Sequence, residues 1–119
     1  MTRMPAPAVA VAIAQFAPSA DSEANARQID RMVDVAADRG AKLVVFPEYS
    51  SYFVDPFDQT LARHAQDVDG PFVAALHQSA QRTGAVIVAG LIETASNPGK
   101  VRNAVVAVGP DRKSTRLNS

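Results

Sequence analysis

The chain has 119 residues, of which 47% are hydrophobic and 20% are charged, with 12 basic and 12 acidic side chains. This length and composition suit one domain with a modest core and lack the polar bias of disordered chains. The balanced charge argues against a nucleic-acid partner, and no apolar run reaches the roughly 20 residues of a membrane span. Because cysteine is absent, disulfides, thiolate metal sites and a cysteine nucleophile within these residues are excluded.

The N-terminal segment predicts a strand. Val9, Val11 and Ile13 alternate with alanines ahead of Phe16 and Pro18. Its apolar character loosely imitates a secretory signal, but the alternation is typical of a strand with one face of larger residues. We therefore expect a buried first strand.

Residues 22–39 predict an amphipathic helix. Asp21 occupies the N-cap position, apolar residues recur at i, i+3, i+4, i+7 and i+8, and Gly40 provides a left-handed stop. The run "LVVF" at 43–46 is continuously apolar, as in a strand covered on both faces. Strand, helix and strand in this order predict a βαβ unit with parallel strands.

The remainder of the chain predicts two more helices and two more strands. A short helix is expected near 59–66, and a longer one begins at Pro71 and ends at Gly84. Strands at 85–92 and 103–108 flank the turn-rich "SNPGK" and predict a hairpin. The order β-α-β-(α)-α-β-β indicates an α/β layered domain.

A glutamate directly follows the second strand. In open α/β sheets, ligands bind beyond the carboxyl ends of the strands, and Glu48 lies at such an end. Pro47 restricts the direction in which the chain leaves the strand. The aromatic residues nearby would partly desolvate the carboxylate, which suits a general base. From position alone, a solvated loop carboxylate or an ion pair with an arginine stays open.

Five segments carry a resemblance to a known family. They are "VAIAQFAP" at 11–18, "NARQIDRMVDVAADRGAKLVVFPEYS" at 25–50, "GPFVAAL" at 70–76, "VIVAGLIE" at 86–93 and "NAVVAVGP" at 103–110. Together, in this order and spacing, the chain resembles the N-terminal part of the nitrilase superfamily of carbon–nitrogen hydrolases. The block at 35–48, which ends in "LVVFPE", is the most specific part.

The resemblance implies an α-β-β-α sandwich and a Glu-Lys-Cys triad that hydrolyses amides or, in fewer members, nitriles. Glu48 matches the family's general base, and Tyr49, Tyr52 and Phe53 lie on the loop that shapes the substrate pocket in similar enzymes. It further implies a small-molecule amide substrate, no cofactor, no membrane or nucleic-acid partner, a cytoplasmic location and a homo-oligomeric parent. No metal site is expected, because His64 and His77 have no second ligand at metal spacing.

Residues 111–119, "DRKSTRLNS", differ in composition from the rest, with three basic side chains and one acidic. Lys113 lies in a pattern similar to the family's lysine segment, but too few residues follow the strand ending at Val108 for it to lie on the next strand. One reading frame of a common sequencing adapter also encodes this segment. We therefore assign residues 1–110 to the N-terminal part of a carbon–nitrogen hydrolase domain and predict that 111–119 is an artefactual tail. Genomic DNA that encodes the tail would refute this prediction.

The sequence thus predicts an amidase-type carbon–nitrogen hydrolase whose lysine and cysteine are missing from these residues, so that the chain alone is inactive. The alternative is a non-catalytic α/β binding or interaction domain.

Overall fold

The computed structural model describes residues 8–111 and 114–118, and within them strands and helices alternate before a final run of strands. The elements are β1 (Val11–Ile13), α1 (Ser22–Asp38), β2 (Leu43–Val45), α2 (Thr60–Arg63), α3 (Pro71–Thr83), β3 (Val86–Thr94), β4 (Val101–Val108) and β5 (Ser114–Asn118). The strands of this part of the chain form one sheet in the order β1-β2-β3-β4-β5. β1, β2 and β3 are parallel, whereas β4 and β5 run antiparallel to their neighbours. The parallel start and the β3–β4 hairpin are confirmed.

Helix α1 begins at the predicted residue and ends at Asp38, one residue before the predicted end. The Asp21 side chain accepts a hydrogen bond from the backbone N–H of Ala24 at 3.0 Å, which satisfies one of the free donors of the first turn. Ile29 and Val33 are fully buried on one face of the helix. Gly40 has φ +90° just beyond the C-terminus, a conformation that side chains disfavour.

The core lies between the sheet and the two longer helices, which cover the same face. Its sheet residues are Val44, Phe46, Ile87, Ala89, Leu91, Val106 and Val108, and its helix residues are Ile29, Val33, Ala36, Phe72, Val73, Leu76 and Ala80. An ionic contact links the helices, because Arg82 of α3 lies 2.7 Å from both Asp30 and Asp34 of α1. Side chains alternate along a strand, so Val88, Gly90 and Ile92 face away from α1 and α3.

The prediction of a buried first strand is wrong. β1 is only three residues long and lies at an edge of the sheet. Val9, Val11 and Ile13 are 66%, 52% and 69% exposed, whereas the small residues Ala12 and Ala14 pack against the core. The alternation does mark a strand, but the helices cover its alanine face. The larger side chains therefore lie on the opposite face, which neither α1 nor α3 covers.

The structure also differs from the sequence analysis beyond Val108. Ser114–Asn118 form β5, which pairs with β4 from Val108↔Ser114 to Ala104↔Asn118. The unpaired backbone edge of β4 accepts any segment that can extend alongside it, whatever its side chains. The origin of residues 111–119 therefore stays a prediction, and Lys113 lies outside the described residues.

The architecture is an α/β fold with one sheet layer and one helical layer. Within residues 8–111 and 114–118, no helix combines the length and the apolar character needed to cross a membrane.

Candidate active site

The turn that follows β2 carries Glu48 and is fastened to a single residue of β3. The backbone N–H of Gly90 donates to the carbonyl of Pro47 at 3.2 Å. The carbonyl of Gly90 accepts from the backbone N–H of Ser51, also at 3.2 Å. Residues 48–50 are therefore looped out between two hydrogen bonds to one residue, as in a β-bulge.

Gly90 permits this close approach because it has no side chain. A Cβ atom there would lie 2.6 Å from the backbone nitrogen of Tyr49 and 2.9 Å from the Cα of Glu48, and real Cβ contacts essentially never fall below 3.0 Å. Both neighbours are backbone atoms, which cannot rotate away. Since Ala89 and Leu91 face the helices, the turn lies on the opposite face of the sheet.

Two buried serines hold the turn in shape. Ser50 Oγ donates to the carbonyl of Pro47 at 2.5 Å, and Ser51 Oγ accepts from the backbone N–H of Ile92 at 2.9 Å. The carbonyl of Ser51 accepts from Asn25 Nδ2 at 3.2 Å, which ties helix α1 to the turn. Ser50 and Ser51 have no exposed surface, and Asn25 is 3% exposed. Buried polar groups that are satisfied in this way specify one local conformation.

The carboxylate that this turn presents is exposed to solvent. Glu48 Oε1 accepts a hydrogen bond from Asn103 Nδ2 at 2.5 Å. The expected partial desolvation of Glu48 is not found in this chain, because the neighbouring aromatic rings pack against one another. The sequence left open that Glu48 is a solvated loop carboxylate or forms an ion pair with an arginine. Its exposure fits the solvated carboxylate, and the side chain that it contacts is the amide of Asn103 and not an arginine.

An aromatic group lies beside Glu48. Tyr49, the next residue, has φ +59° and turns its ring towards Phe57 and Phe53, with ring centroids 5.2 Å and 6.0 Å away. The Phe53 and Phe57 rings lie 5.8 Å apart in an edge-on arrangement. Phe57 is 55% exposed, so part of this aromatic surface is available for contact. Sequence reasoning named Tyr49 and Phe53 but missed Phe57.

Tyr52 has a different environment from the other predicted pocket residues. It is 3% exposed, and its hydroxyl donates to Thr60 Oγ1 at 2.9 Å. Its ring stacks on His64, with centroids 4.4 Å apart and planes at 8°. These contacts, with the first residue and the C-cap of α2, hold the loop against that helix, so the structure gives Tyr52 an anchoring contact. The assignment of Tyr49, Tyr52 and Phe53 to substrate binding stays a prediction.

Metal-ligating side chains do not gather in the part of the chain that the structure describes, where no group of three or more His, Cys, Asp or Glu residues could hold an ion. His64 is exposed, and its Nδ1 lies 2.9 Å from the carbonyl of Thr60. His77 lies on α3, away from the turn that carries Glu48.

A groove among the described residues lies away from Glu48. It has a volume of about 660 Å³ and opens between the starts of α1 and α3, where Arg27, Arg63 and His64 contribute to its lining. Neither Glu48 nor the aromatic group lines it. This groove is therefore separate from the candidate catalytic residue Glu48.

Sequence reasoning missed the residues that position Glu48. An isolated glycine within a strand pattern signals a close backbone approach, so "VIVAGLIE" contained a usable signal for Gly90. Ser51 and Asn25 offered no comparable signal, because their partners lie far away in the sequence. Asn103 was interpreted only as the start of a strand, whereas β4 begins at Val101.

Comparisons with known proteins identify the family to which the chain is similar. The sequence model of the carbon–nitrogen hydrolase family matches residues 10–118. Two curated Mycobacterium tuberculosis proteins, Hydrolase MT0498 and Hydrolase Rv0480c, are each 33% identical over 100 residues. The match covers 84% of this chain but only 34% of either relative. The chain thus spans about a third of the length of these relatives.

Solved structures show the same fold. The NitFhit protein of C. elegans superposes with a TM-score of 0.80 at 16% identity, over 92% of this chain and 27% of that one. A variant of the Nesterenkonia AN1 amidase, from the nitrilase superfamily, superposes with a TM-score of 0.77 at 19% identity, over 93% of this chain and 43% of that one. These likenesses show the fold, and the family match over residues 10–118 shows that the chain belongs to the carbon–nitrogen hydrolase family.

Proposed function

We propose that this chain supplies the general base of an amidase that cleaves the C–N bond of a small amide through a Glu-Lys-Cys triad. The observation that carries the proposal is the presentation of Glu48, which a turn pinned twice to Gly90 holds at the carboxyl end of β2. The amidase among the structural neighbours favours an amide over a nitrile as substrate.

The chemistry assigns one task to Glu48. As general base it takes the proton from a cysteine thiol, so that the thiolate attacks the amide carbonyl, and it passes the proton to the departing ammonia. A lysine ammonium stabilises the negative charge that develops on the carbonyl oxygen. Water then cleaves the thioester, with Glu48 again accepting a proton. No metal or cofactor enters this scheme.

The lysine and the cysteine belong, in this proposal, to a part of the enzyme outside these 119 residues. The chain contains no cysteine, so it cannot form the thioester by itself. We therefore expect no amide turnover from the chain alone. The homo-oligomeric state and cytoplasmic location of the whole enzyme are proposals that rest on the family.

The aromatic group beside Glu48 is proposed as part of the substrate pocket. Tyr49 and Phe53 adjoin the base and pack with Phe57, whose exposed ring offers an apolar surface. Tyr52 is proposed to act in the same pocket, through the loop that it anchors.

A chimera tests the role of Glu48. Residues 8–110 would replace the matching segment of the Mycobacterium tuberculosis Hydrolase Rv0480c, and ammonia release would be measured on aliphatic and aromatic primary amides and on nitriles. We expect turnover on amides. Glu48→Gln should lower kcat by about 10²- to 10⁴-fold, the usual contribution of a positioned general base. Glu23→Gln, the same change at an exposed residue in the first turn of α1, should have no effect.

Two results would count against the proposal. Equal activity of the Glu48→Gln and Glu23→Gln chimeras would show that Glu48 is not the base. A folded chimera without turnover on any amide or nitrile would instead favour the non-catalytic α/β binding domain.

A further inference from the structure

The carboxylate of Glu48 has a partner that comes from a distant part of the sequence. Asn103 Nδ2 donates to Glu48 Oε1, and the two residues are separated by 55 positions in the chain. We propose that Asn103 is a positioning residue, which holds Glu48 Oε1 so that Oε2 faces the thiol and receives its proton. The proposal deepens the function given above and rests on it.

The register of the sheet explains why these two residues meet. Gly90, on which the turn is pinned, pairs with Val105 of β4, and Asn103 lies two residues further along β4. Residues two apart on a strand share a face, so Asn103 lies on the same side of the sheet as the turn. Asn103 is half-buried there, and the turn brings Glu48 directly to it.

The side-chain amide of Asn103 can orient the Glu48 carboxylate without interfering with proton transfer. An ionised carboxylate can only accept hydrogen bonds, so the amide nitrogen must face it. The amide does not titrate, and it therefore stays a donor whether the thiol proton has been transferred or not. A lysine or arginine at this position would form an ion pair with the carboxylate and compete with the incoming proton.

Because Glu48 is exposed, an effect of the Asn103 hydrogen bond on the orientation of its side chain can be distinguished from an effect on folding. A buried carboxylate would need a partner in order to fold, whereas water can satisfy an exposed one. Losing this bond should therefore change the direction of the Glu48 side chain far more than it changes the stability of the fold. Freedom of a catalytic group matters because reaction requires its oxygen in one place.

Nuclear magnetic resonance of the isotope-labelled 119-residue chain tests the bond from both ends. In Glu48→Gln, the side-chain NH₂ signals of Asn103 should shift, because the acceptor is no longer charged. The side-chain NH₂ signals of Asn25, which donates to the carbonyls of Ser19 and Ser51, should stay unchanged and serve as an internal reference.

The second arm removes the donor. Asn103→Val keeps a residue that favours strands but has no side-chain donor, and we expect the Glu48 three-bond couplings to lose the pattern of a single rotamer. The chemical shifts of the core should remain. Asn97→Val, the same change at an exposed position in the β3–β4 connection, should leave the Glu48 couplings as they are.

Two results would overturn the proposal. One is an unchanged Glu48 rotamer in a folded Asn103→Val variant. The other is unchanged Asn103 side-chain signals in Glu48→Gln. This second result is decisive even if Asn103→Val does not fold, because residue 48 is exposed. Either result leaves the proposal that Glu48 is the general base untouched. Conversely, an inactive chimera would not affect the hydrogen bond between Asn103 and Glu48, so the two proposals can fail separately.

Discussion

Gly90→Ala should destabilise the chain, although alanine usually suits a strand better than glycine. The new Cβ would lie 2.6 Å from the Tyr49 nitrogen, and ordinary contact begins at 3.4 Å, so the backbone must move by several tenths of an ångström. Overpacking of this kind costs about 1–3 kcal/mol. The gain from replacing a strand glycine with alanine offsets about 0.5–1 kcal/mol of it. We therefore expect the free energy of unfolding to fall by roughly 1 kcal/mol, within a range of about 0–2.5 kcal/mol.

Urea denaturation followed by circular dichroism measures this change, and Gly109→Ala is its matched control. A Cβ at Gly109 would meet only the carboxylate end of the Asp111 side chain, which can rotate. The control should be neutral or gain about 0.4–1 kcal/mol. If Gly90→Ala were as stable as this control, the turn that carries Glu48 would not be pressed against β3, and the account of how Glu48 is presented would be wrong.

Two further predictions concern the helical layer and the open face of the sheet. Burial would raise the pKa of Asp30, but hydrogen bonds from Ser79 and Arg82 and the charge of Arg82 outweigh it and lower the pKa below its usual 3.8. A carboxyl with a lowered folded-state pKa stabilises the fold above its unfolded pKa and loses that effect as the pH falls through its folded pKa. Asp30→Asn should therefore reduce the loss of stability between neutral and acidic pH, by only about 0.2–1 kcal/mol because the Asp30–Arg82 pair is exposed. Urea denaturation at a series of pH values from 7 to about 2 measures this loss, and the same loss in the variant as in the parent chain would contradict the prediction. Ile13 is 69% exposed on the face that α1 and α3 leave open, so the chain should self-associate through apolar contact. Ile13→Lys should raise the monomer fraction in sedimentation velocity, and an unchanged distribution would show that this face is not the contact.

Most of the secondary structure could be predicted because its signals are local. The Asp21 cap, the apolar periodicity and Gly40 bounded α1, and Pro71 and Gly84 bounded α3 in the same way. The burial of β1 could not be predicted, since alternation shows that a strand has two faces but not which face the helices cover. β5 was missed because the pairing of a segment with a free strand edge uses backbone hydrogen bonds and depends little on side chains.

The sequence by itself determined where Glu48 lies along the chain: a strand, a proline and a glutamate follow one another in one block, so that Glu48 comes directly after β2. Its role as general base is a proposal that rests on the family resemblance. Only the tertiary structure decided how Glu48 is held. Gly90, Asn25 and Asn103 reach the turn from β3, α1 and β4. The physical reason is that a local pattern encodes where a chain turns. The backbone clearance and the hydrogen bonds that orient a side chain depend on residues that folding alone brings together.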